Sequence, residues 1–263
     1  MEEEKVKAVP EKAIVADKNE KVIVIKGLKK SFGTKDVLKN INLEVKRGEN
    51  VVVLGRSGQG KSVMIQCIVG LLTPNGGTLK VLGDEVAEMD DDKLRELRTK
   101  VGFLFQGGAL YDSMTVKENL EFPLTRVLKI DEQSELDKRV DEVLEGVGLQ
   151  DAADKLPSDL SGGMRKRIGL ARTLIVKPEI MLYDEPTTGL DPITSREISE
   201  LILDMQKKYK TTSIIITHDM ECARITADRV LIMDDGEYIA EGSFDELNKS
   251  KDPLVKSFFK DIS

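Results

Sequence analysis

The sequence predicts an α/β fold in which helices cover a largely parallel sheet. Short runs rich in Val and Ile alternate along the chain with longer segments whose apolar residues recur at helical spacing. This alternation is typical of parallel sheets, because each parallel pair of strands needs a crossover and a helix provides it. The 263 residues, of which 40% are hydrophobic, suffice for one large domain with an ordinary core.

The first part of the chain alternates strands with helices. The predicted elements are strands at 22–25, 41–45 and 51–54, a helix at 61–72, a strand at 78–82, a helix at 90–98 and a strand at 101–105. The helix at 61–72 is expected to end before the sequence Thr73-Pro74-Asn75-Gly76-Gly77, because proline and paired glycines break helices.

From about 107 to 160 the pattern is helical alone. Helices are predicted at 115–124 and 131–147, and Thr115 followed by Glu118 is typical of a capping box. The alternation then resumes with a helix at 161–176, a strand at 180–184, a helix at 192–208, a strand at 212–217, a short helix from 219, and a hairpin of 229–233 with 237–240. We expect a helical insertion within the α/β domain.

The chain is expected to divide into a charged lead-in at 1–20, a main α/β domain at 21–250 with a helical subdomain at about 107–160, and a C-terminal tail at 251–263. The net charge of -7 argues against broad nucleic-acid binding. The N-terminal residues contain no apolar signal region, and no apolar run is as long as a membrane-spanning helix. We therefore expect a cytoplasmic protein; if it works at a membrane, another chain must bring it there. Cys67 and Cys222 lie in apolar helical patterns and are expected to be buried thiols.

A glycine-rich loop between the strand at 51–54 and the following helix is the strongest functional signal. Its pattern is G-x-x-x-x-G-K-S, and the expected phosphate-binding residues are Gly55, Arg56, Ser57, Gly58, Gln59, Gly60, Lys61 and Ser62. The glycines permit positive φ, so that backbone N–H groups and the helix N-terminus can face an anion. Lys61 can reach β- and γ-phosphates, and the Ser62 hydroxyl can ligate Mg²⁺. The alternative is an ordinary glycine turn between a strand and a helix.

Two acids at the end of the strand at 180–184 form the second functional signal. The strand ends in Asp184, which a parallel sheet would carry to its carboxyl edge, where ligands bind. Asp184 is placed to hold Mg²⁺, and Glu185 could orient or deprotonate an attacking water. Without the glycine-rich loop, a solvated turn would be the favoured interpretation.

His218, the single histidine, ends the strand at 212–217. A lone histidine is ordinarily a surface or core residue. Because this strand should neighbour the one that ends in Asp184, a γ-phosphate contact becomes plausible.

A second predicted anion site begins the helix at 161–176. Ser161 can cap this helix, and Gly162 and Gly163 leave backbone N–H groups accessible. It cannot serve the same phosphate as Lys61 if the two lie far apart in one subunit. The alternative is that the two glycines only make the start of the helix more flexible and bind no anion. The following Arg165-Lys166-Arg167 is expected to be a solvated face.

Taken together, these motifs resemble ABC-transporter ATPases from about residue 22 to 242. The residues that carry the resemblance are 55–62, Gln106, Leu160-Ser161-Gly162-Gly163, 180–185, Gly189-Leu190-Asp191 and His218. The resemblance implies a P-loop NTPase core, a mainly parallel sheet with flanking helices, with an N-terminal antiparallel β part and a helical insertion. It also implies a homodimer that sandwiches two ATP molecules with Mg²⁺, each between one subunit's glycine-rich loop and the partner's residues 161–164.

The resemblance further implies roles for individual residues. Phe32 would stack on adenine, Gln106 would contact Mg²⁺ and the transport partner, and Asp191 would link the two sites. The apolar segment 107–114 would receive an integral-membrane permease subunit. The alternative is that Leu110 and Met114 anchor the helical insertion to the core.

A narrower likeness is to the ATPases of Mla-type (MCE-associated) phospholipid transporters, which implies an MCE-type lipid-binding protein as a further partner. It rests on Phe105 to Val116 and on the segment Leu160-Ser161-Gly162-Gly163-Met164-Arg165-Lys166-Arg167. Most ABC ATPases have Gln at the position of Met164, and many have a small residue or proline at that of Arg56.

The leading hypothesis is an ATP hydrolase that drives a phospholipid transporter from the cytoplasmic face of the inner membrane. One alternative is the ATPase of an importer for amino acids or other small solutes. Another is a nucleotide-gated assembly scaffold, against which Glu185 and His218 argue, since a scaffold needs no water-activating acid.

Overall fold

The computed structural model describes residues Asn19–Phe259. The predicted lead-in lies almost wholly outside the described residues, as do the last four residues of the predicted tail. The strands are β1 Lys21–Phe32, β2 Lys35–Lys46, β3 Asn50–Leu54, β4 Gly76–Val81, β5 Asp84–Glu85, β6 Val101–Leu104, β7 Ile180–Asp184, β8 Thr212–Thr217, β9 Arg229–Asp234 and β10 Glu237–Gly242. The α-helices are α1 Lys61–Ile68, α2 Asp91–Lys100, α3 Val116–Arg126, α4 Gln133–Gly146, α5 Gly162–Leu174, α6 Pro192–Tyr209, α7 Met220–Thr226, α8 Phe244–Asn248 and α9 Pro253–Phe259.

The strands form two sheets, as the α/β prediction requires. A four-stranded antiparallel sheet has the order β2-β1-β4-β5, and a six-stranded sheet has the order β10-β9-β3-β8-β7-β6. In the larger sheet only the β9–β10 hairpin is antiparallel; the other four pairings are parallel. The predicted mainly parallel core, N-terminal antiparallel part and helical insertion are therefore confirmed.

The register of the parallel strands brings their carboxyl ends together. Leu54, the last residue of β3, pairs with Thr217 of β8. Asp184, the last residue of β7, pairs with Ile216 of the same strand. The residues that directly follow these three strands therefore meet at one edge of the sheet.

Two apolar clusters cover the two faces of this sheet. Successive residues of a strand face opposite sides, so Val51 and Val53 belong to the cluster that also contains α1 and the antiparallel sheet. Val52 and Leu54 belong to the other cluster, which contains α6, α7 and the C-terminal helices. Because β3 is buried on both faces, its sequence reads as a continuous apolar run instead of alternating.

A third apolar cluster holds the helical subdomain. It combines buried residues of α3, α4 and α5. Helix α5 contributes Ile168 and Ala171 to this cluster and Leu170 and Leu174 to the cluster on the sheet. Helix α5 is therefore the packed connection between the helical subdomain and the sheet.

Several element ends differ from the sequence predictions. Helix α1 ends at Ile68 and not at 72, because Gly70 adopts φ 66 and the N–H groups of Gly70 and Leu71 donate to Cys67 and Gln66 carbonyls. This is the Schellman arrangement that glycine favours. The hairpin strands β1 and β2 each extend over 12 residues, well beyond the predicted four or five.

Other local predictions are confirmed. The Thr115–Glu118 capping box forms in both directions, with donor–acceptor distances of 2.7 and 3.2 Å. Both cysteines are buried, and burial raises the pKa of the Cys67 thiol to about 11 and that of Cys222 to about 12. Between residues 19 and 259, no helix has the length and apolar character needed to cross a membrane.

The C-terminal stretch contains helices that sequence reasoning did not anticipate. In α9, Val255 and Phe259 are buried in the cluster on the sheet. The Phe259 ring also packs edge-on against Phe244 of α8, with centroids 5.4 Å apart.

The end of α6 provides a test of backbone strain. Lys210 is exposed and adopts φ 54, a left-handed conformation that costs a non-glycine residue free energy. We expect Lys210→Gly to raise the free energy of unfolding by about 0.5–1 kcal/mol. The matched control, Lys207→Gly within the same helix, should lower it by about 1 kcal/mol. Urea unfolding midpoints measure both changes, and equal destabilisation by the two variants would contradict the assignment of strain to Lys210.

Candidate functional site

The glycine-rich loop joins β3 to α1, and two of its glycines are required by close backbone contacts. A Cβ at Gly60, whose φ is 99, would lie 2.8 Å from the Val37 carbonyl oxygen. A Cβ at Gly55 would lie 2.7 Å from the Met233 carbonyl oxygen. The loop is therefore held tightly between the β1–β2 hairpin and β9, with its backbone turned toward the carboxyl edge of the sheet.

This edge opens into a cavity of about 370 Å³. Residues of the loop, of α1 and of the neighbouring strand ends line it: Val37, Ser57, Gly58, Gln59, Gly60, Lys61, Ser62, Val63, Gln106, Asp184, Glu185, Thr188 and His218. Most of the residues that the sequence singled out thus meet at one place.

Lys61 extends beneath the loop, and its side chain is 5% exposed. The ammonium group donates hydrogen bonds to the carbonyls of Gly55 (2.5 Å) and Arg56 (3.1 Å) and lies 3.5 Å from the Glu185 carboxylate. Burial lowers the pKa of Lys61, and the nearby Glu185 and Asp184 charges oppose that shift. A buried ammonium beside accessible backbone N–H groups is suited to binding phosphate.

Ser62 and Asp184 form the pair that a magnesium ion would require. The Ser62 hydroxyl donates to Asp184 Oδ1 at 3.0 Å, so these two oxygen ligands are already adjacent. Burial raises the pKa of Asp184, while the Ser62 hydrogen bond and the charges of Lys61 and Lys166 lower it. Mg²⁺ typically takes one or two protein oxygens and completes its shell with phosphate and water, which this donor pair fits.

No larger metal-binding cluster competes with this pair. In the part of the chain from 19 to 259, no group of three or more His, Cys, Asp and Glu side chains is arranged to hold a metal ion.

Glu185 is the most constrained residue of the cavity. Its φ is 49, the left-handed region that is unusual for a residue with a side chain. Its carboxylate accepts from the His218 backbone N–H (3.3 Å) and lies 2.8 Å from His218 Nδ1. A carboxylate fixed in this way, at the mouth of a cavity, can accept a proton from a bound water.

Gln106 follows β6 and lines the cavity, whereas Phe32 does not. Phe32 ends β1 and is 48% exposed, with the Lys30 ammonium 5.1 Å from its ring centroid. Val37, on the same hairpin, contributes the cavity wall instead. The predicted adenine contact of Phe32 stays a prediction.

The residues of the second predicted anion site lie outside this cavity. Ser161 caps α5 by accepting from the Met164 backbone N–H at 3.2 Å. Asp191 caps α6 by accepting from the Ile193 and Thr194 backbone N–H groups, both at 3.1 Å. A Cβ at Gly163 would meet Thr194 at 2.6 Å, so the starts of these two helices are in close contact. Within one subunit, they form a separate surface.

Arg56 of the glycine-rich loop and Met164 at the start of α5, the two residues that differ from most ABC ATPases, both pack against neighbouring side chains. The Arg56 guanidinium lies 5.5 Å from the ring centroid of Phe258, and so connects the glycine-rich loop with α9. The half-buried Met164 side chain packs against the apolar cluster of the helical subdomain.

The expectation that residues 165–167 form a solvated face is wrong for Lys166. Its side chain is buried, and it donates to the backbone carbonyls of Gln106 and Glu185. Burial lowers the pKa of Lys166, and the charges of Asp184 and Glu185 oppose that shift. A helical-spacing signal was present, because Lys166, Leu170 and Leu174 recur at every fourth position on the apolar face of α5.

Thr188 is a further residue that sequence reasoning missed. It lines the cavity, and its hydroxyl lies 3.4 Å from the Glu185 carboxylate. The nearby Thr187 hydroxyl donates to Asp219 at 2.8 Å, which ties the loop after β7 to the start of α7. No local pattern distinguishes these threonines from ordinary loop residues.

The chain resembles known proteins over most of its length. The sequence pattern of the family described as ABC transporter matches residues 38–188. The probable ribonucleotide transport ATP-binding protein mkl of Mycobacterium leprae is 40% identical over 236 residues, covering 90% of this chain and 68% of that protein. The methionine import ATP-binding protein MetN of Rhizobium johnstonii is 41% identical over 226 residues, covering 85% of this chain and 61% of that protein. The matched regions thus span about two thirds of these relatives.

Solved structures with the same fold include ABC cassettes. The dimeric post-hydrolysis state of the ATP-binding cassette MJ0796 with ADP and Pi has a TM-score of 0.77 and 34% identity, covering 84% of this chain and 98% of that one. The cbiO1 protein of Clostridium perfringens, part of the transporter complex cbiONQ, has a TM-score of 0.81 and 30% identity, covering 92% and 96%.

Replacing Lys61 tests the phosphate site. We expect Lys61→Met, which keeps the buried stem but removes the ammonium, to weaken nucleotide binding by about 2 kcal/mol or more, roughly 30-fold. Ser57→Ala is the matched control: it removes an exposed side chain of the same loop and leaves its backbone N–H in place. Titration with a fluorescent nucleotide measures both, and unchanged affinity in Lys61→Met would contradict the phosphate assignment.

Proposed function

The chain belongs to the ABC transporter family, and from this premise we propose that it is the subunit whose ATP hydrolysis drives a phospholipid transporter from the cytoplasmic face of the inner membrane. As a member of this family it is an ATPase that uses ATP with Mg²⁺. The observation that carries the ATP-hydrolysing part of the proposal is the meeting of Lys61, the Ser62–Asp184 pair and the Glu185–His218 pair around one cavity.

Each of these residues has a role that follows from its position. Lys61 and the backbone N–H groups of the loop bind the phosphates, while Ser62 and Asp184 would hold Mg²⁺, with Gln106 beside them. When bound there, Mg²⁺ would supply positive charge that offsets the negative charge of the phosphates. Glu185 accepts the proton of the attacking water, and His218 orients the Glu185 carboxylate.

The separate surface at the starts of α5 and α6 supports a homodimer. Residues 161–164 present a capped helix start in which Ser161 and Gly162 are exposed, yet they do not line the cavity of their own subunit. If a second copy is arranged so that this surface faces the cavity of the first, the helix start can bind the phosphate held in that cavity. The MJ0796 cassette, a structural neighbour, is described as dimeric in its ADP and Pi complex.

The segment after β6 supports docking of a membrane permease. Phe105, directly before the cavity residue Gln106, is 40% exposed. Tyr111, five residues after Gln106, is 42% exposed. Leu110 is half-buried and packs against the helical subdomain, which favours an anchoring role for that residue. Exposed aromatic side chains beside a nucleotide site suit an interface with another protein.

The phospholipid cargo rests on two sequence segments, Phe105 to Val116 and residues 160–167, which resemble those of Mla-type transporters. An MCE-type lipid-binding protein is a partner that follows from the same likeness. The second candidate is an importer of a small solute, which the 41% identity to a methionine import ATP-binding protein favours.

Glu185→Gln separates binding from chemistry. We expect it to bind Mg-ATP and to lower turnover by about 10²-fold or more, since the amide cannot accept the proton of the water. ATP-dependent dimers should then accumulate on gel filtration. Adding Ser161→Arg to this variant should abolish these dimers, because the arginine side chain would block the partner's cavity. Near wild-type hydrolysis by Glu185→Gln, or dimers that persist with Ser161→Arg, would contradict the assigned roles.

The cargo is tested on the complex with its membrane partner. We expect phospholipid to co-purify with the detergent-extracted complex, and the complex in vesicles to transfer fluorescent phospholipid only with ATP. Mass spectrometry of extracted lipid and the fluorescence assay measure the two effects, with Glu185→Gln as the inactive control. ATP-dependent uptake of methionine, without phospholipid transfer, would favour the second candidate instead.

A further inference from the structure

Lys166 is a buried cation that the proposed roles leave unexplained. It lies on α5, five residues after the cap Ser161, and only 7% of it is exposed. Burying an ammonium group is unfavourable unless charges and hydrogen bonds compensate for the lost water. The contacts of the Lys166 ammonium must therefore compensate for its burial.

The contacts of Lys166 join two parts of the cavity that are distant in sequence. Its ammonium donates a hydrogen bond to the Gln106 carbonyl and contacts the Glu185 carbonyl at 3.4 Å. These partners lie 60 and 19 residues away along the chain. One side chain thus ties the start of α5 to the loop after β6 and to the end of β7.

The contact with Glu185 falls on a strained backbone. A non-glycine residue at φ 49 has a sparsely populated backbone conformation, which persists only where its surroundings fix it. Three backbone contacts do so here: the Glu185 N–H donates to the Ile216 carbonyl at 2.9 Å, and the Glu185 carbonyl accepts from Thr188 N–H (3.3 Å) and from Lys166 (3.4 Å). Of these three, Lys166 alone supplies a full positive charge.

We propose that Lys166 is a positioning residue for ATP hydrolysis, holding the backbone of Glu185 in its left-handed conformation and the Gln106 carbonyl in register with it. The proposal rests on the proposed roles of Glu185 and Gln106. Because Lys166 shares a helix with residues 161–164, it also couples the surface offered to a second copy with the water-activating carboxylate of its own subunit.

A second contact of α5 supplies a matched control. Arg172, two turns further along, donates to the carbonyl of Ala109, another non-glycine residue with positive φ, and its guanidinium stacks on Tyr111. Among residues 19–259, Arg172 therefore anchors the same loop through Ala109 and Tyr111, and not through Gln106 or Glu185. If the two residues only anchor the loop, replacing either one should lower kcat equally. If Lys166 positions Glu185, replacing Lys166 should lower kcat more than replacing Arg172.

The test compares steady-state ATPase kinetics of the full chain in three variants. For Lys166→Met we expect kcat to fall at least 10-fold while KM changes less than threefold, because the residue acts on the carboxylate and not on the phosphates. Lys166→Arg keeps a positively charged hydrogen-bond donor at this position and should retain at least a third of the wild-type kcat. Arg172→Met should lower kcat less than threefold. Melting temperatures establish that each variant is folded.

Several outcomes would overturn the proposal. These are wild-type kinetics in Lys166→Met, an equal loss in Arg172→Met, or a loss in Lys166→Arg as large as that in Lys166→Met. If Lys166→Met does not fold, Lys166→Gln replaces it, since its amide is uncharged and shorter, and the same fall in kcat is expected.

A double variant separates this proposal from the proposed function. In the Glu185→Gln background, Lys166→Met should lower the residual turnover less than twofold, because two residues that act through one group are not additive. A further 10-fold loss would show that Lys166 acts independently of Glu185 and would overturn the positioning role. If Glu185→Gln alone keeps wild-type turnover, the proposed role of Glu185 fails first, and the positioning role of Lys166 fails with it.

Discussion

The candidate site depends on the parallel pairing of β3, β8 and β7. This pairing places the residues after Leu54, Thr217 and Asp184 side by side, although they come from three distant parts of the sequence. Alternate residues of β3 belong to apolar clusters on opposite faces, so the strand is held by packing from both sides. The 3.0 Å contact between Ser62 and Asp184 requires this register, since the two residues are 122 positions apart.

Charge balance at the edge of the sheet follows from the same geometry. Two buried lysines, Lys61 and Lys166, face the two acids Asp184 and Glu185, and each lysine also donates to backbone carbonyls. Hydrogen bonds to charged oxygens are stronger than those to carbonyls. A phosphate can therefore draw the Lys61 ammonium away from the carbonyls of the loop, whereas Lys166, behind the acids, keeps its backbone partners. Lys61 is therefore suited to binding the phosphate, and Lys166 to holding the backbone around the site.

Much of this site could be predicted from the sequence, because its main signals are local. The bounds of β7 and β8 match the predictions, since each is a short buried run: β7 ends in the site residue Asp184, and the site residue His218 directly follows β8. The residues that escaped prediction depend on long-range contacts. Val37 lines the cavity because the β1–β2 hairpin folds over the glycine-rich loop, and Lys166 looked like part of an ordinary charged run. Only the spacing of Lys166 with Leu170 and Leu174 indicated that its side chain faces inward.

The location of these contacts also indicates where cargo specificity must reside. The glycine-rich loop and the ends of β7 and β8 act on phosphate and water, chemistry that is the same whichever molecule is transported. The residues through which transporters differ in cargo must therefore lie where the ATPase contacts its membrane partner. In this chain Asn119 fixes the segment before α3, because its buried amide bonds the backbone of Tyr111 in both directions, at 2.8 and 3.0 Å. A segment held this rigidly, beside the cavity residue Gln106, can carry a movement of the nucleotide site to a partner without changing its own shape.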